Sequence, residues 1–321
     1  MSESKKNSPS VRIVEVAPEY AGQRIDNFLM RRLKGVPKSY IYRILRKGEV
    51  RVNKGRVKAP YKIRAGDLVR IPPVRTDKTE APHRLSERLR ITLEHAVVYE
   101  DERLLVLNKP SGLAVHGGSG VSSGIIEALR LMRPDERQLE LVHRLDRETS
   151  GCLLISKRRS SLRILHELMR ENRVDKRYLA LLAGSWRKGV QVVDMPLKKN
   201  TLQGGERVVR VDAEGKQAET RYKRLRRFKE STLVEVELVT GRTHQIRVHS
   251  AWLGSPVLGD TKYGEDDANK RMREIGLRRL FLHAHQVSFR WPGVTEDLNV
   301  QAPLPHDLTE LLERLKIKDE V

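Results

Sequence analysis

The sequence predicts an α+β protein of two domains, and three observations carry that expectation. The chain has 321 residues, about two domains on the usual scale of roughly 100 to 200 residues each. Helical apolar spacing and alternating strand patterns both occur along it, without any internal repeat. A polar stretch over residues 74–92, with Pro82 and mixed charge, separates a short basic segment from a longer apolar one and reads as a linker.

Composition narrows the partner. Apolar residues at 38% suffice for a core, while charged residues at 33% give it a very wet surface. Lys plus Arg outnumber Asp plus Glu by 63 to 42, a net charge of +21 that calls for a polyanion. A membrane surface would meet the same charge, but no apolar run approaches the ~20 residues of a span, and no basic helix has a strong apolar face. Residues 1–10 lack the apolar centre of a signal peptide and are expected to be a disordered tail. The lone cysteine, Cys152 between Gly151 and Leu153, reads as a small buried hydrophobe. A cytoplasmic location is expected.

Residues 11–73 form the expected first domain. Val11 to Arg75 holds 17 Lys plus Arg against 5 Asp plus Glu, so +12 of the total charge sits in this fifth of the chain. Ile25, Phe28, Leu29 and Leu33 fall at helical spacing, ended by Gly35 and Pro37. Ser39 is the expected cap of a second helix whose apolar face is Ile41, Ile44 and Leu45, with Arg43, Arg46 and Lys47 pointing elsewhere and Gly48 ending it. Residues 50–57 alternate like a hairpin that turns near Asn53 to Gly55.

Residues 93–317 form the expected second domain. Strand patterns occur at 97–99 and 104–107, followed by Asn108-Lys109-Pro110-Ser111-Gly112, where Lys109 is equally a phosphate contact or a turn-surface lysine. The His116-Gly117-Gly118-Ser119-Gly120 run lacks the Gly-Lys-Ser/Thr of a P-loop and the GxGxxG of a dinucleotide turn, so it is read as a flexible loop near the substrate. A short helix follows over 125–132, another over 160–171, then a strand over 175–182. Residues 233–239 alternate strictly, with Glu235 and Glu237 on one face. Thr243 is the expected cap of a helix that runs to Leu253 and brings Arg247 toward a cleft. A closing strand near Phe281 and a helix over 308–315 complete the domain. His244 and His249 lie five apart, which is not the i, i+4 spacing of a helical zinc pair, and no cysteine cluster accompanies them, so no metal is assigned.

The segment Leu141-Val142-His143-Arg144-Leu145-Asp146-Arg147-Glu148-Thr149-Ser150-Gly151 sets one carboxylate between two arginines and two apolar flanks. Near an apolar core such a carboxylate needs cations or donors to stay ionised. Residue type alone fits a structural ion pair in a tight turn. The run HRLD, followed after two residues by TSG, resembles the catalytic motif of the RluA family of RNA pseudouridine synthases. The resemblance implies that Asp146 is the catalytic carboxylate, and that Arg144, with His143 beside it, meets the RNA. Lys176-Arg177-Tyr178-Leu179-Ala180 is similar to the family's KxYLA motif, whose Tyr, here Tyr178, stacks on the target base. GRTHQIRVH at 241–249 resembles its second signature, in which Arg247 pairs with the catalytic Asp. The segment Asp260-Thr261-Lys262-Tyr263-Gly264 is only a loose match and bears on loop detail. The order helix, basic helix, VRVN hairpin and AGDLVRI resembles the S4 RNA-binding domain, which makes Arg43, Arg46 and Lys47 RNA contacts.

The resemblance implies a mixed, mainly antiparallel catalytic sheet and isomerisation of uridine to pseudouridine without cofactor or metal. Its best-matching branch modifies several uridines of large-subunit (23S) ribosomal RNA, so that RNA or an assembly intermediate is the expected partner of a monomeric enzyme. A non-catalytic ribosome-assembly factor would explain the charge but not the joint fit of Asp146, Tyr178 and Arg247. An RNA glycosidase could use Asp146 and Glu148, yet two carboxylates in one turn would hardly flank a scissile bond at ~5 Å or more.

Overall fold

The computed structural model describes residues 10–33, 36–74, 85–117, 124–186, 189–201 and 207–319. The chain divides into two compact units, with the boundary in the sequence between Arg84 and Leu85. The expected tail (residues 1–9), the middle of the linker (75–84) and most of the glycine-rich loop (118–123) lie outside the described residues.

The first unit comprises strand β1 (Arg12–Glu15), helices α1 (Ile25–Arg32) and α2 (Lys38–Arg46), and strands β2 (Arg51–Val52), β3 (Gly55–Arg56) and β4 (Leu68–Ile71). The strands form an antiparallel sheet in the order β1-β4-β2-β3. Ile25, Phe28 and Leu29 of α1 meet Ile41, Ile44 and Leu45 of α2 in one buried cluster with Val52, Val69 and Ile71 of the sheet. Burial of those α2 residues leaves Arg43, Arg46 and Lys47 exposed on the opposite side. The cap differs from expectation: α2 begins at Lys38 after Pro37, whose fixed φ sets the chain entry, and Ser39 lies inside the first turn. Asn53 and Lys54 both adopt positive φ, 46° and 68°, the geometry of a two-residue hairpin turn. Asn53 is held there by donating to Asp67 at 2.8 Å and accepting from the Leu68 amide at 2.8 Å.

The second unit opens with helix α3 (Glu87–His95) and strands β5 (Val97–Glu100) and β6 (Leu104–Lys109), then α4 (Ile125–Met132), β7 (Glu140–Leu141), β8 (Ser150–Ser156) and α5 (Arg159–Arg170). It continues through β9 (Val174–Ala183), β10 (Val190–Asp194), β11 (Leu197–Thr201), β12 (Arg207–Val211), β13 (Glu219–Arg227) and β14 (Ser231–Leu238). The last elements are α6 (Gln245–Trp252), α7 (Asp266–Ile275), β15 (Leu282–Phe289), β16 (Leu298–Gln301) and α8 (His306–Asp319). Helix α3 corrects the linker reading, because it occupies residues expected to be linker up to 92. Its Ser86 cap accepts from the Leu89 amide. Only Leu93 of the helix is fully buried, so its sequence carries little apolar periodicity.

A ten-stranded sheet runs β10-β13-β14-β9-β15-β8-β6-β5, with β16 beside β15 and β7 beside β8, while β11 and β12 form a separate hairpin. Every pairing is antiparallel except β8 with β15. All of β8 is buried, which accounts for its unbroken apolar run, whereas β14 alternates as its sequence requires. Helices α7 and α8 pack Met272, Leu308, Leu311 and Leu315 with Leu181 and Phe281 of the sheet region. No helix of the described residues is long and apolar enough to cross a membrane.

The parallel β8–β15 pair, registered at His283 with Ser150 and Ala284 with Gly151, lies just after the HRLD segment. Gly151 has φ +109°, and a Cβ there would stand 2.2 Å from the Ala284 carbonyl oxygen. Only glycine fits both the backbone conformation and the approach. Gly151→Ala is therefore expected to lower unfolding free energy by about 1–3 kcal/mol or more, the cost of forcing atoms into a packed interior. Urea denaturation measures it, and a variant as stable as the parent would mean that this junction yields.

Candidate active site

Asp146 lies in a loop between β7 and β8 that is pinned from three sides. Within the loop, the Thr149 amide donates to the Asp146 carbonyl at 3.2 Å. From the β6 side, the Lys109 Nζ donates to the carbonyls of Pro110, Leu113 and Arg147 at 2.8, 2.9 and 2.9 Å. Lys109 is fully buried, so it is neither a phosphate contact nor a surface lysine. Burial lowers its pKa to about 7, against the fields of Glu148 and Asp146. Ser111 donates to the Glu148 carbonyl, the Gly112 amide to the Arg147 carbonyl, and Arg147 Nε back to the Gly112 carbonyl. The NKPSG turn is thus a clamp on the loop that carries Asp146. From β15, His283 Nδ1 meets Ser150 Oγ at 2.9 Å, and its Nε2 meets the Ala302 carbonyl at 3.1 Å.

His143 is an anchor as well. Its Nε2 accepts from the Leu154 amide at 3.1 Å, and burial, then the nearby Lys176, lowers its pKa to about 4, so the ring is neutral at pH 7.

The second motif packs against this loop. Helix α6 starts at Gln245, and the residue at its N-terminal boundary is His244 in a left-handed conformation, not Thr243. Gln245 explains the start: its amide oxygen accepts from Thr240 Oγ1 and the Arg242 amide, and its nitrogen donates to the Glu219 carbonyl and Thr220 Oγ1. All four of its hydrogen-bonding positions are filled. His249 is likewise structural, between Thr220 Oγ1 and the Met195 carbonyl.

Arg247 has a partner that sequence reasoning missed. Its Nε and Nη2 donate to Asp260 at 2.7 and 2.8 Å in a bidentate pair, while its Nη1 stands 3.6 Å from Asp146 Oδ2. Asp146 is therefore its looser neighbour. The Asp260 side chain is fully buried and also accepts from the amides of Lys262 and Tyr263 at 2.8 and 3.0 Å. Burial opposes its carboxylate form, and the Arg247 and amide hydrogen bonds outweigh that, leaving its pKa below the ordinary 3.8. The signal in the sequence was an Asp at the head of a Gly-ended turn, a residue type that binds the amides just after it.

Asp146 and Arg247 line a cleft of about 750 Å³ together with His143, Arg144, Tyr178 and His244. Tyr178 comes from β9, and burial first, then the Asp146 charge, raises its pKa above the ordinary 10.0. Lys176, two residues earlier, shares the cleft, as does Arg170. Among the described residues, none of Arg144, Arg170 and Lys176 makes an ion pair with a carboxylate, so this end of the cleft offers cations to an anion. Arg43, Arg46 and Lys47 belong to the other unit. No group of three His, Cys, Asp or Glu that could hold a metal occurs among the described residues.

A profile of the RNA pseudouridylate synthase family matches residues 103–252, and one of the S4 domain matches residues 23–69. The chain is 53% identical over 315 residues to the ribosomal large subunit pseudouridine synthase C of Pasteurella multocida (strain Pm70), covering 98% of this chain and 97% of that protein. It is 54% identical over 318 residues to the protein of the same name from Escherichia coli (strain K12), covering 97% and 99%. The solved structure of human RNA pseudouridylate synthase domain containing 4 is similar with a TM-score of 0.59 at 30% identity, over 71% of this chain and 96% of that one.

The buried pair yields a prediction. Asp260→Ala strands the Arg247 guanidinium without its partner and is expected to cost about 3–5 kcal/mol in urea denaturation. Because the folded carboxyl titrates below its ordinary 3.8, its contribution is complete above that value and is lost as pH falls through the folded pKa. The stability difference between parent and Asp260→Asn should accordingly hold at neutral pH and shrink below about pH 4. A difference independent of pH across that window would mean that the carboxylate charge is not what stabilises the turn.

Proposed function

The chain belongs to the family of RNA pseudouridine synthases, and from that premise we propose that it isomerises specific uridines of large-subunit 23S ribosomal RNA, with Asp146 as catalytic carboxylate and no cofactor. The observation that carries this reading is the meeting of Asp146, Tyr178 and Arg247, from three distant segments, in one cleft. The names of the full-length relatives support the ribosomal substrate, and the S4 match supports RNA binding by the first unit.

The reaction breaks the N1–C1′ glycosidic bond, turns the uracil, and joins C5 to the same carbon. C5 loses a proton and N1 gains one, so the product is an isomer and needs no electron carrier. Cleavage builds positive charge at C1′, which a carboxylate such as Asp146 can stabilise, attack, or relieve by taking a sugar proton. Arg247 Nη1 supplies the opposite charge beside it. Tyr178, with its raised pKa, serves as a platform and hydrogen-bonding phenol rather than a phenolate base at neutral pH. The target base must leave its stack at a cost of a few kcal/mol. Arg144, exposed beside the loop, is suited to fill the vacated space, and Arg170 and Lys176 to meet phosphates. His143, as an anchor of the loop, would touch RNA only through its cleft-facing edge. The exposed Arg43, Arg46 and Lys47 would add sequence-tolerant phosphate contacts.

Two outcomes test the reading. Asp146→Asn keeps shape and loses charge, and should abolish tritium release from C5-labelled uridine in ribosomal RNA while RNA affinity stays close to that of the parent. Appreciable turnover by the variant would sink the assignment, and pseudouridine maps of ribosomal RNA from cells with and without the protein identify the sites. The triple substitution of Arg43, Arg46 and Lys47 by Ala should weaken RNA binding and flatten the dependence of log affinity on log salt by about 0.7–0.9 per lost phosphate contact. An unchanged slope in filter binding would remove that helix from the RNA interface.

A further inference from the structure

Two residues lining the cleft have left-handed backbones, Asn172 and His244. Asn172 follows helix α5, where that conformation commonly ends a helix. His244 precedes a helix at φ 53° and ψ 20°, where extended geometry is usual. A strained residue of this kind in a functional cleft points to a task for its side chain.

The His244 ring lies between two groups. Nδ1 is 2.8 Å from the Tyr263 hydroxyl oxygen, and Nε2 is 3.8 Å from Asp146 Oδ1. The Tyr263 oxygen already accepts from the Val209 amide at 3.1 Å, a bond in which it can only be acceptor, so its own proton is free for His244 Nδ1. That assignment leaves the ring proton on Nε2, facing the carboxylate, where a lone pair would be repelled. Burial lowers the pKa of His244; Asp146 and Asp260 oppose this while Arg247 and Lys262 reinforce it, so the ring is neutral at pH 7. Arg247 stands beside the other carboxylate oxygen at 3.6 Å.

We propose that His244 is a positioning residue for Asp146: a neutral imidazole, kept in its Nε2–H form by Tyr263, that orients the Oδ1 side of the carboxylate while Arg247 orients the Oδ2 side. The proposal rests on the reading of Asp146 as the catalytic carboxylate. Tyr263 acts through His244, so the turn that follows Asp260 reaches the reacting centre through one hydrogen bond and one 3.8 Å imidazole–carboxylate approach rather than by touching substrate.

The test uses the full chain and combines nitrogen-15 NMR of the histidine rings with single-turnover rates at saturating enzyme. His244→Asn tolerates the left-handed backbone but is too short to reach Asp146, whereas His244→Gln carries an amide donor near the position of Nε2. Tyr263→Phe keeps the ring and removes the tautomer-setting hydroxyl. The wild-type spectrum should show the Nε2–H tautomer, and Tyr263→Phe should shift it toward a mixture. His244→Asn should slow the chemical step by about 10- to 100-fold, the scale of a lost orienting partner, and His244→Gln should recover most of that loss. RNA affinity should move by less than about twofold in both, since a positioning role falls on the rate and not on binding. An Nδ1–H tautomer in the wild type, or a His244→Asn rate within about twofold of the parent, would overturn the proposal. A wild type that forms no pseudouridine would overturn it through its premise, and that failure is seen before any substitution is made.

Discussion

The cleft is referred to one buried ion pair, Arg247 with Asp260. A carboxylate with no exposed side-chain surface is costly to bury, and it persists because the guanidinium edge and two backbone amides hydrogen-bond it. Two of the three guanidinium nitrogens are thereby committed, and the third stands 3.6 Å from Asp146 Oδ2. The amides that Asp260 gathers belong to Lys262 and Tyr263, so the same carboxylate also places the phenol that holds His244. Behind it, Asn269 of α7 donates to the Asp260 carbonyl and accepts from the Gly259 amide, which ties the turn to a helix. The geometry at Asp146 is thus set by a residue that touches neither it nor the cleft floor.

On the other side, the loop that carries Asp146 has no regular structure of its own, and borrows rigidity from the sheet. Lys109, at the end of β6, brings three carbonyls together with one ammonium, which satisfies groups that a loop beside the core would otherwise leave unpaired. Ser150 and Gly151 then fasten the loop's exit to β15 by a hydrogen bond and a contact too close for any side chain. The two halves of the site meet with little freedom because each is attached to a different, well-packed strand or helix.

Local patterns in the sequence were sufficient where the physics is local. The apolar faces of α1 and α2, the Asn53 turn, α4 over Ile125–Met132 and the alternating β14 all follow from spacing and turn chemistry, and the structure has them. What was not legible depends on partners far away in the chain. Lys109 looks like any turn lysine until Arg147, 38 residues later, supplies a carbonyl. Asp260 lies beyond the family profile's last matched residue, 252, and in a segment of weak similarity, so nothing local marked it as the partner of Arg247. Thr243 is a plausible cap by type, but the strong side-chain hydrogen bonds of Gln245 start the helix later and leave His244 in the left-handed region. Helix α3 was hidden because a helix that buries one leucine has hardly any pattern to read.

Two carboxylates flank the same arginine, and their contrast separates structure from chemistry. Asp260 accepts four hydrogen bonds and has no surface, so its lone pairs are committed and no substrate atom could reach it. Asp146 keeps 19% of its side chain exposed, and its nearest cationic and imidazole neighbours stand at 3.6 and 3.8 Å, beyond hydrogen-bond length. The catalytic role proposed for Asp146 requires lone pairs to offer, yet a carboxylate in a half-buried cleft must not be left unaccompanied. Arg247 and His244, placed just outside contact, satisfy both demands: they accompany the carboxylate without occupying its lone pairs. Had Arg247 gripped Asp146 as it grips Asp260, the pair would be a structural ion pair of the kind first suggested by an aspartate set between two arginines. The guanidinium's prior commitment to Asp260 is what keeps Asp146 available.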